Sequence, residues 1–230
     1  MLAAVALLAT IGCRAQPATK VEAKPIVHVL TSLPLLLDEG FGLGPAKGEA
    51  AVFLREHFQL KPIDLPSQLP PSGVLLVAQP RALPAEELVA LDGWVRGGGR
   101  LVLLADPMLE WPSERPFGDR LRPPMSFADT GLLAHWGLRL DAPDKRGVSY
   151  DRMNGAVAFI SPGTLVKMGG KCAIEEGGWK ALCQLGKGNA TIIADADFLN
   201  VEAIRAAKGF PSDNLRMIET SLSPPLQQAR

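Results

Sequence analysis

Residues 73–107 read GVLLVAQPRALPAEELVALDGWVRGGGRLVLLADP, and the reading of the fold starts there. Two short apolar runs, Val74–Ala78 and residues 101–105, bracket a segment whose Leu88, Leu91, Trp94 and Val95 recur at helical spacing, so the stretch predicts strand, helix, strand. Pro84 suits a first helical turn, Glu86 and Glu87 lie at the positive end of the helix dipole, and Gly97, Gly98 and Gly99 supply a left-handed stop. Leu83, at the expected N-cap, has no side-chain oxygen to accept a hydrogen bond. Both apolar runs are continuous rather than alternating, which implies burial on two faces. The two strands are therefore expected to be parallel neighbours, central in a sheet covered on each side and joined by a right-handed crossover.

A chain of 230 residues with 47% hydrophobic content can bury a sizeable core, and a single α/β domain over residues 26–222 is the expected organisation. Lysine plus arginine equals aspartate plus glutamate at 24 each, with no long run of either sign, which argues against nucleic-acid binding and electrostatic membrane binding. The 20 prolines and 23 glycines are spread over loops and element ends rather than gathered into a low-complexity tract.

Residues 2–11 are almost entirely apolar, too short to span a bilayer but suited to the core of a signal peptide. Thr10, Ile11, Gly12 and Cys13 follow, and a small residue before a cysteine at the end of such a run resembles a bacterial lipobox. That resemblance implies a leader over residues 1–13, lipidation at Cys13, and a polar tether over 14–25 that holds the protein on the periplasmic face of the envelope. Thr10 stands where leucine is usual, and no lysine or arginine precedes the run. An ordinary cleaved signal, an uncleaved anchor or a different start therefore stay open.

Along the rest of the chain, Ile26–Thr31 reads as the first strand, residues 46–58 as an amphipathic helix with Ala50, Phe53, Leu54 and Phe58 inward, and 60–65 as a shorter strand. The loop at 40–47 has a phosphate-binding look but fits neither G-x-G-x-x-G nor G-x-x-x-x-G-K-[ST]. After Asp106 and Pro107 comes a proline-rich excursion to Pro124 carrying Trp111, Arg115 and Arg120, long enough to cover a site or to pack against a partner. Residues 126–136 predict a short helix stopped by Gly137, and 138–140 a strand. The segment 141–188 carries short β runs at 156–160, 164–168 and 181–185, which predict a small antiparallel extension. Residues 190–194 return to a fully buried strand, Asp213 and Asn214 are placed to cap a final helix to Ser221, and 223–230 form a tail.

These pieces in order are similar to the auxiliary domain of ABC-type transport systems, the GldG-like family associated with gliding motility. They are more loosely similar to the class I glutamine-amidotransferase-like, flavodoxin-like fold. The residues that carry the resemblance are Ser32, Leu33, Pro34 and Leu35 after the first strand, and the 74–107 unit ending in GGGRLVLLADP. To these are added the segment LLAHWGL at 132–138, and DADFLN at 195–200 followed by Asp213 and Asn214. The resemblance implies a mostly parallel, doubly wound sheet and an accessory role beside transporter or other envelope subunits. Family members are often larger and tethered by membrane helices, whereas here the lipobox-like cysteine is the anchor in prospect.

Amidotransferase-like enzymes place a cysteine or serine on a sharp strand-to-helix turn. The corresponding turns here hold Gln79-Pro80 and Asp106-Pro107, with no nucleophile and with proline removing a backbone donor from each. His28, His57 and His135 fall on a strand, a helix and a helix end, where a packed or surface histidine is commoner than a general base. Cys172 and Cys183 fit no zinc spacing; in an oxidising compartment they are placed to bridge a hairpin through Gly177 and Gly178.

Open α/β sheets bind ligands beyond the carboxyl ends of their strands, and those ends carry Ser32, Gln79, Arg81, Asp106, Asp195 and Asp197. Carboxylates suit hard cations, but an aspartate at a strand end more often caps the next turn, and with few oxygen ligands identifiable no metal or other cofactor is assigned. The reading is thus a non-catalytic, exported binding module that contacts a protein partner or a glycan. The alternatives are an amidotransferase-like or metal-assisted hydrolase, which convergence of these carboxylates would favour, and a sugar-binding module of the trehalose-utilisation type. An apolar surface on the excursion would favour binding.

Overall fold

The computed structural model describes residues 23–39, 44–151, 157–175, 177–208, 210–211 and 213–223. The leader with Cys13, most of the tether, part of the 40–47 loop and all of the tail but its first residue lie outside the described residues.

In chain order the elements are β1 (Ile26–Thr31), α1 (Glu49–His57), β2 (Gln59–Pro62), β3 (Val74–Ala78), α2 (Ala85–Gly97), β4 (Arg100–Leu104), α3 (Leu132–His135) and β5 (Leu138–Asp141). Then come β6 (Val148–Asp151), β7 (Val157–Ile160), β8 (Thr164–Lys167), β9 (Cys172–Ile174), β10 (Lys180–Leu185), β11 (Gly188–Ile193), α4 (Val201–Ala206) and α5 (Asn214–Leu222). A seven-stranded sheet runs in the order β2-β1-β3-β4-β11-β10-β9. Its first five strands are parallel, and β10 and β9 add to the edge antiparallel. β3 and β4 are parallel neighbours, with Val74 opposite Arg100 and Ala78 opposite Leu104.

The continuous apolar runs have the reason assigned to them. Leu76, Ala78, Val102 and Leu104 pack on one face against Leu54 and Phe58 from α1 and its end, Ile218 and Leu222 of α5, and Phe159 of β7. Leu75, Val77, Leu101 and Leu103 pack on the other against Leu91 and Val95 of α2 and Leu133 and Trp136 around α3. Each valine, leucine, isoleucine or phenylalanine among them contributes about 1.5–3 kcal/mol by leaving water, so a polar substitution on either face of β3 or β4 breaks a core.

α2 starts one residue later than the proline reading placed it: Pro84 is itself the N-cap, and no side-chain oxygen caps the turn. Glu87 turns inward instead and accepts from the backbone N–H and the hydroxyl of Ser67 at 2.9 and 2.8 Å. The helix ends at Gly98, with φ of 125°, as the glycine run requires.

The expected helix over 126–136 shrinks to the single turn of α3. Asp129 explains it: its Oδ1 accepts from Gly131 and Leu133, and the Phe127 N–H is taken by the Asp106 carbonyl at 2.6 Å, so 126–130 is a strap across the end of β4. The antiparallel character of 141–188 is present but divided. β5 with β8 and β6 with β7 form separate two-stranded ribbons, while β9 and β10 extend the main sheet. Asp213 stands at the N-cap of α5 without a side-chain capping bond. Asn214 is the buried organiser there: it donates to the carbonyls of Ala158 and Phe198 and accepts from the Ala158 N–H.

Candidate functional site

The parallel strands deliver a row of polar residues to one rim of the sheet. Ser32, after β1, donates its hydroxyl to the Gln79 carbonyl after β3. Gln79 in turn binds the peptide after β4: its Oε1 accepts from the Asp106 N–H at 3.0 Å, and its Nε2 donates to the carbonyls of Asp106 and Pro124, also at 3.0 Å. Asp106 follows β4, and Asp195 and Asp197 follow β11.

One carboxyl oxygen from each of these three aspartates lies within 4.8 Å of the others. Around them the backbone supplies donors. Asp106 accepts from Met108 at 2.8 Å through Oδ1, and from Ala196 at 2.9 Å and Asp197 at 3.4 Å through Oδ2. Asp195 accepts from Phe198 at 2.9 Å and Ile160 at 2.8 Å. Asp197 accepts from Glu110 at 2.5 Å through Oδ2, while its Oδ1 is buried without a partner.

The three side chains are at most 1% exposed, and among the described residues none forms an ion pair with a lysine, arginine or histidine. Burial raises the Asp106 carboxyl; the backbone donors and a hydrogen bond from Asp195 offset this only partly. Burial, with the charges of Asp106 and Asp197, holds Asp195 well above the ordinary carboxyl range. Burial and the Asp106 charge push Asp197 up to about 8. At neutral pH such a cluster keeps its full charge only if a cation neutralises it, and otherwise retains protons.

The rim is thus not an open crevice: Gln79, Asp106, Asp195 and Asp197 are closed off from solvent, and the start of the excursion lies over them. Arg81 stands apart, exposed, donating to the Arg122 carbonyl at 3.4 Å. Gln79 and Ser161, both fully buried, have positive φ of 43° and 49°, a conformation non-glycine residues hold only where neighbours enforce it. Ser161 shows the enforcement, donating to Glu110 Oε1 at 2.6 Å and accepting from the Gly147 N–H at 3.0 Å.

Ser161 and Glu110 escape a reading of the sequence, because each works through a loop contact that periodicity does not encode; Asn214, expected as a helix cap, instead ties α5 to β7 and to the turn after β11. Asn200 had a legible signal as the residue before a short apolar helix, and it caps α4 through the Ala203 N–H at 3.1 Å. His57 and His135 make their contacts elsewhere, with Phe53 and Asp92, and His28 lies on β1 with Nδ1 unpartnered. Cys172 and Cys183 are disulfide-bonded as directly paired residues of β9 and β10.

The excursion is anchored at its start and open beyond. Leu109 is buried in the core, and Arg122 binds the carbonyls of Ser113 and Arg115. The Arg122 guanidinium stacks 4.4 Å over the Phe117 ring. Phe117 is nevertheless 78% exposed, Leu121 59% and Met125 53%.

No curated protein sequence matches the chain. Among solved structures it is similar to the mmIFT52 N-terminal domain, at 11% identity over 87% of this chain and 99% of that one, with a TM-score of 0.52. It is also similar to an exo-beta-1,4-mannosidase from Opitutaceae bacterium strain TAV5, at 12% identity over 88% of this chain, with a TM-score of 0.51. The chain spans only 37% of that enzyme's length. Both likenesses are of fold: mixed α/β, with a mainly parallel central sheet and antiparallel strands. The family described as an ABC-type uncharacterized transport system matches residues 25–147, and by that match over more than half of its length the chain belongs to this auxiliary family.

Proposed function

We propose that the chain is an exported, non-catalytic binding module that serves as an accessory subunit of an ABC-type transporter or a related envelope complex. In this reading it has a flavodoxin-like sheet and is tethered to the membrane by lipid on Cys13. The observation that carries the reading is the apolar pair Phe117 and Leu121, exposed on an excursion that is itself anchored to the sheet rim, with Met125 exposed just past its end. Exposed aromatic and aliphatic side chains on a supported loop suit a protein partner better than a sugar, whose hydroxyls need convergent polar groups.

The disulfide between Cys172 and Cys183 supports export, since such bonds persist in oxidising compartments. Among the described residues no helix is long and apolar enough to cross a membrane.

The converged carboxylates are the one feature that favours a metal-assisted hydrolase. Against that reading, they are buried, their oxygens save one are occupied by backbone donors, and neither strand-end turn carries a nucleophile. A substrate has no approach to them.

The test is capture of the solubilised ATPase–permease complex by purified protein, comparing wild type with Phe117→Ser/Leu121→Ser. We expect affinity to fall at least about tenfold with thermal stability unchanged. Equal capture by both proteins, or binding to a glycan array alone, defeats the reading. Labelling with a lipid precursor, absent in Cys13→Ala, tests the anchor.

A further inference from the structure

The carboxyls beyond β4 and β11 have a second use besides holding turns. Oxygens from Asp106, Asp195 and Asp197 lie within 4.8 Å of one another. Calcium holds oxygens at about 2.3–2.6 Å, so ligands on opposite sides of it stand up to about 5 Å apart, and the spread of the three oxygens fits that sphere. A carboxylate oxygen has two acceptor sites, so one backbone N–H leaves the other for a cation.

The independent observation is Oδ1 of Asp197. It belongs to a side chain 1% exposed, and no donor meets it. A buried carboxylate oxygen with no partner is costly, and a hard cation supplies both the missing contact and the missing charge. Glu110 links the cluster to the surface: it is exposed, its backbone N–H donates to Asp197 Oδ2, and its charge adds to the rise of the Asp197 carboxyl.

We propose that Asp106, Asp195 and Asp197 hold a divalent cation of the calcium class, with Glu110 as the carboxylate at its entrance. Backbone N–H groups of Met108 and Glu110 already lie on Asp106 and Asp197, so the bound cation pins the start of the excursion to the end of β11. The site stands on its own geometry; its effect on docking rests on the reading of the excursion as a partner surface.

The experiment titrates calcium chloride into chelator-treated protein, with equilibrium dialysis against radioactive calcium and thermal melting as readouts. One calcium per chain and a midpoint raised by about 5–10 °C at saturation are expected. Asp197→Asn is expected to bind none while keeping the wild-type circular dichroism in chelator. Glu110→Gln, which keeps an Oε1 acceptor for the Ser161 hydroxyl and removes the charge, is expected to weaken binding about tenfold. No binding at millimolar calcium, or full binding by Asp197→Asn, overturns the site. Calcium binding that persists while partner capture fails overturns the docking reading alone.

Discussion

Asp106 and Asp195 are register equivalents: the ladder between β4 and β11 closes on the pair Leu104 and Ile193, and each aspartate stands two residues beyond it. Neighbouring parallel strands thus aim two carboxyls at one point, and the turn after β11 adds Asp197. Burial raises all three, and the charge of Asp106 adds to the rise at Asp195 and Asp197.

A pH dependence follows for protein kept in chelator, where the cluster answers to protons alone. Asp197 moves from an ordinary 3.8 to about 8, so the folded state binds its proton more tightly than the unfolded chain does. The stability this confers is complete below about pH 4, is lost as the pH rises through about 8, and changes little beyond. Urea midpoints are expected to fall over that window for wild type and less steeply for Asp197→Asn. A midpoint rising with pH between about 5 and 8 contradicts the assignment.

Gln79 is the hinge between the rim and the excursion. Truncation to alanine strands the Asp106 N–H and the Pro124 carbonyl, while the Asp106 carbonyl keeps the Phe127 N–H, and the positive φ is retained. At about 1 kcal/mol or more for each orphaned group, Gln79→Ala is expected to cost about 2–4 kcal/mol in equilibrium unfolding. A loss below about 1 kcal/mol would show that water replaces the amide freely.

On the opposite face of the sheet, Asp92 accepts from Trp136 Nε1 and from Arg96 Nε, both at 2.7 Å. Burial raises its carboxyl, but these bonds outweigh that and leave it lowered. Its contribution is therefore present above the unfolded carboxyl range and lost as pH falls through the lowered value, opposite in sign to the buried cluster. Asp92→Ala is expected to cost about 1–3 kcal/mol at neutral pH, chiefly by stranding the indole N–H. Tryptophan fluorescence during urea unfolding checks it.

The parallel core was legible because buried strands leave an unmistakable run: 74–78 and 101–105 name their own pairing, and the glycines after Trp94 name the stop. The convergence of Asp106 with Asp195 was half legible. Sequence places both at strand ends, but only knowing that β11 returns beside β4 brings them together, and the 83 residues 105–187 between the two strands conceal that return. The 126–136 helix failed for a different reason. Its apolar spacing is real, yet Asp129 and the Asp106 carbonyl claim the backbone donors first. A local side-chain acceptor and one long-range carbonyl there override the helical periodicity.

The disulfide joins β10 to the edge strand β9 and closes a short loop, with a sequence separation of 11. Loop-closure entropy assigns such a bond about 2–3 kcal/mol. Cys172→Ser/Cys183→Ser is expected to lower stability by that amount, and amide exchange should accelerate first in β9, which pairs only with β10. Uniform acceleration across the parallel strands would mean that the bond supports the whole sheet.

Gly188, where β11 begins, sets how closely α2 can lie on the sheet. A Cβ there would stand 2.1 Å from the Val95 carbonyl oxygen and 2.2 Å from that of Gly99. Both are backbone atoms at the end of α2, fixed by the turn through Gly98, so neither can swing away as a side chain would. Gly188→Ala must therefore push the end of the helix off the strand or slide β11 along β4. The first opens the core around Val95 and Leu101; the second moves Asp195 away from Asp106. Overpacking of this kind costs about 1–3 kcal/mol or more. Thermal melting measures the loss, and the calcium response separates the routes: it survives if the helix moves and disappears if the strand slides.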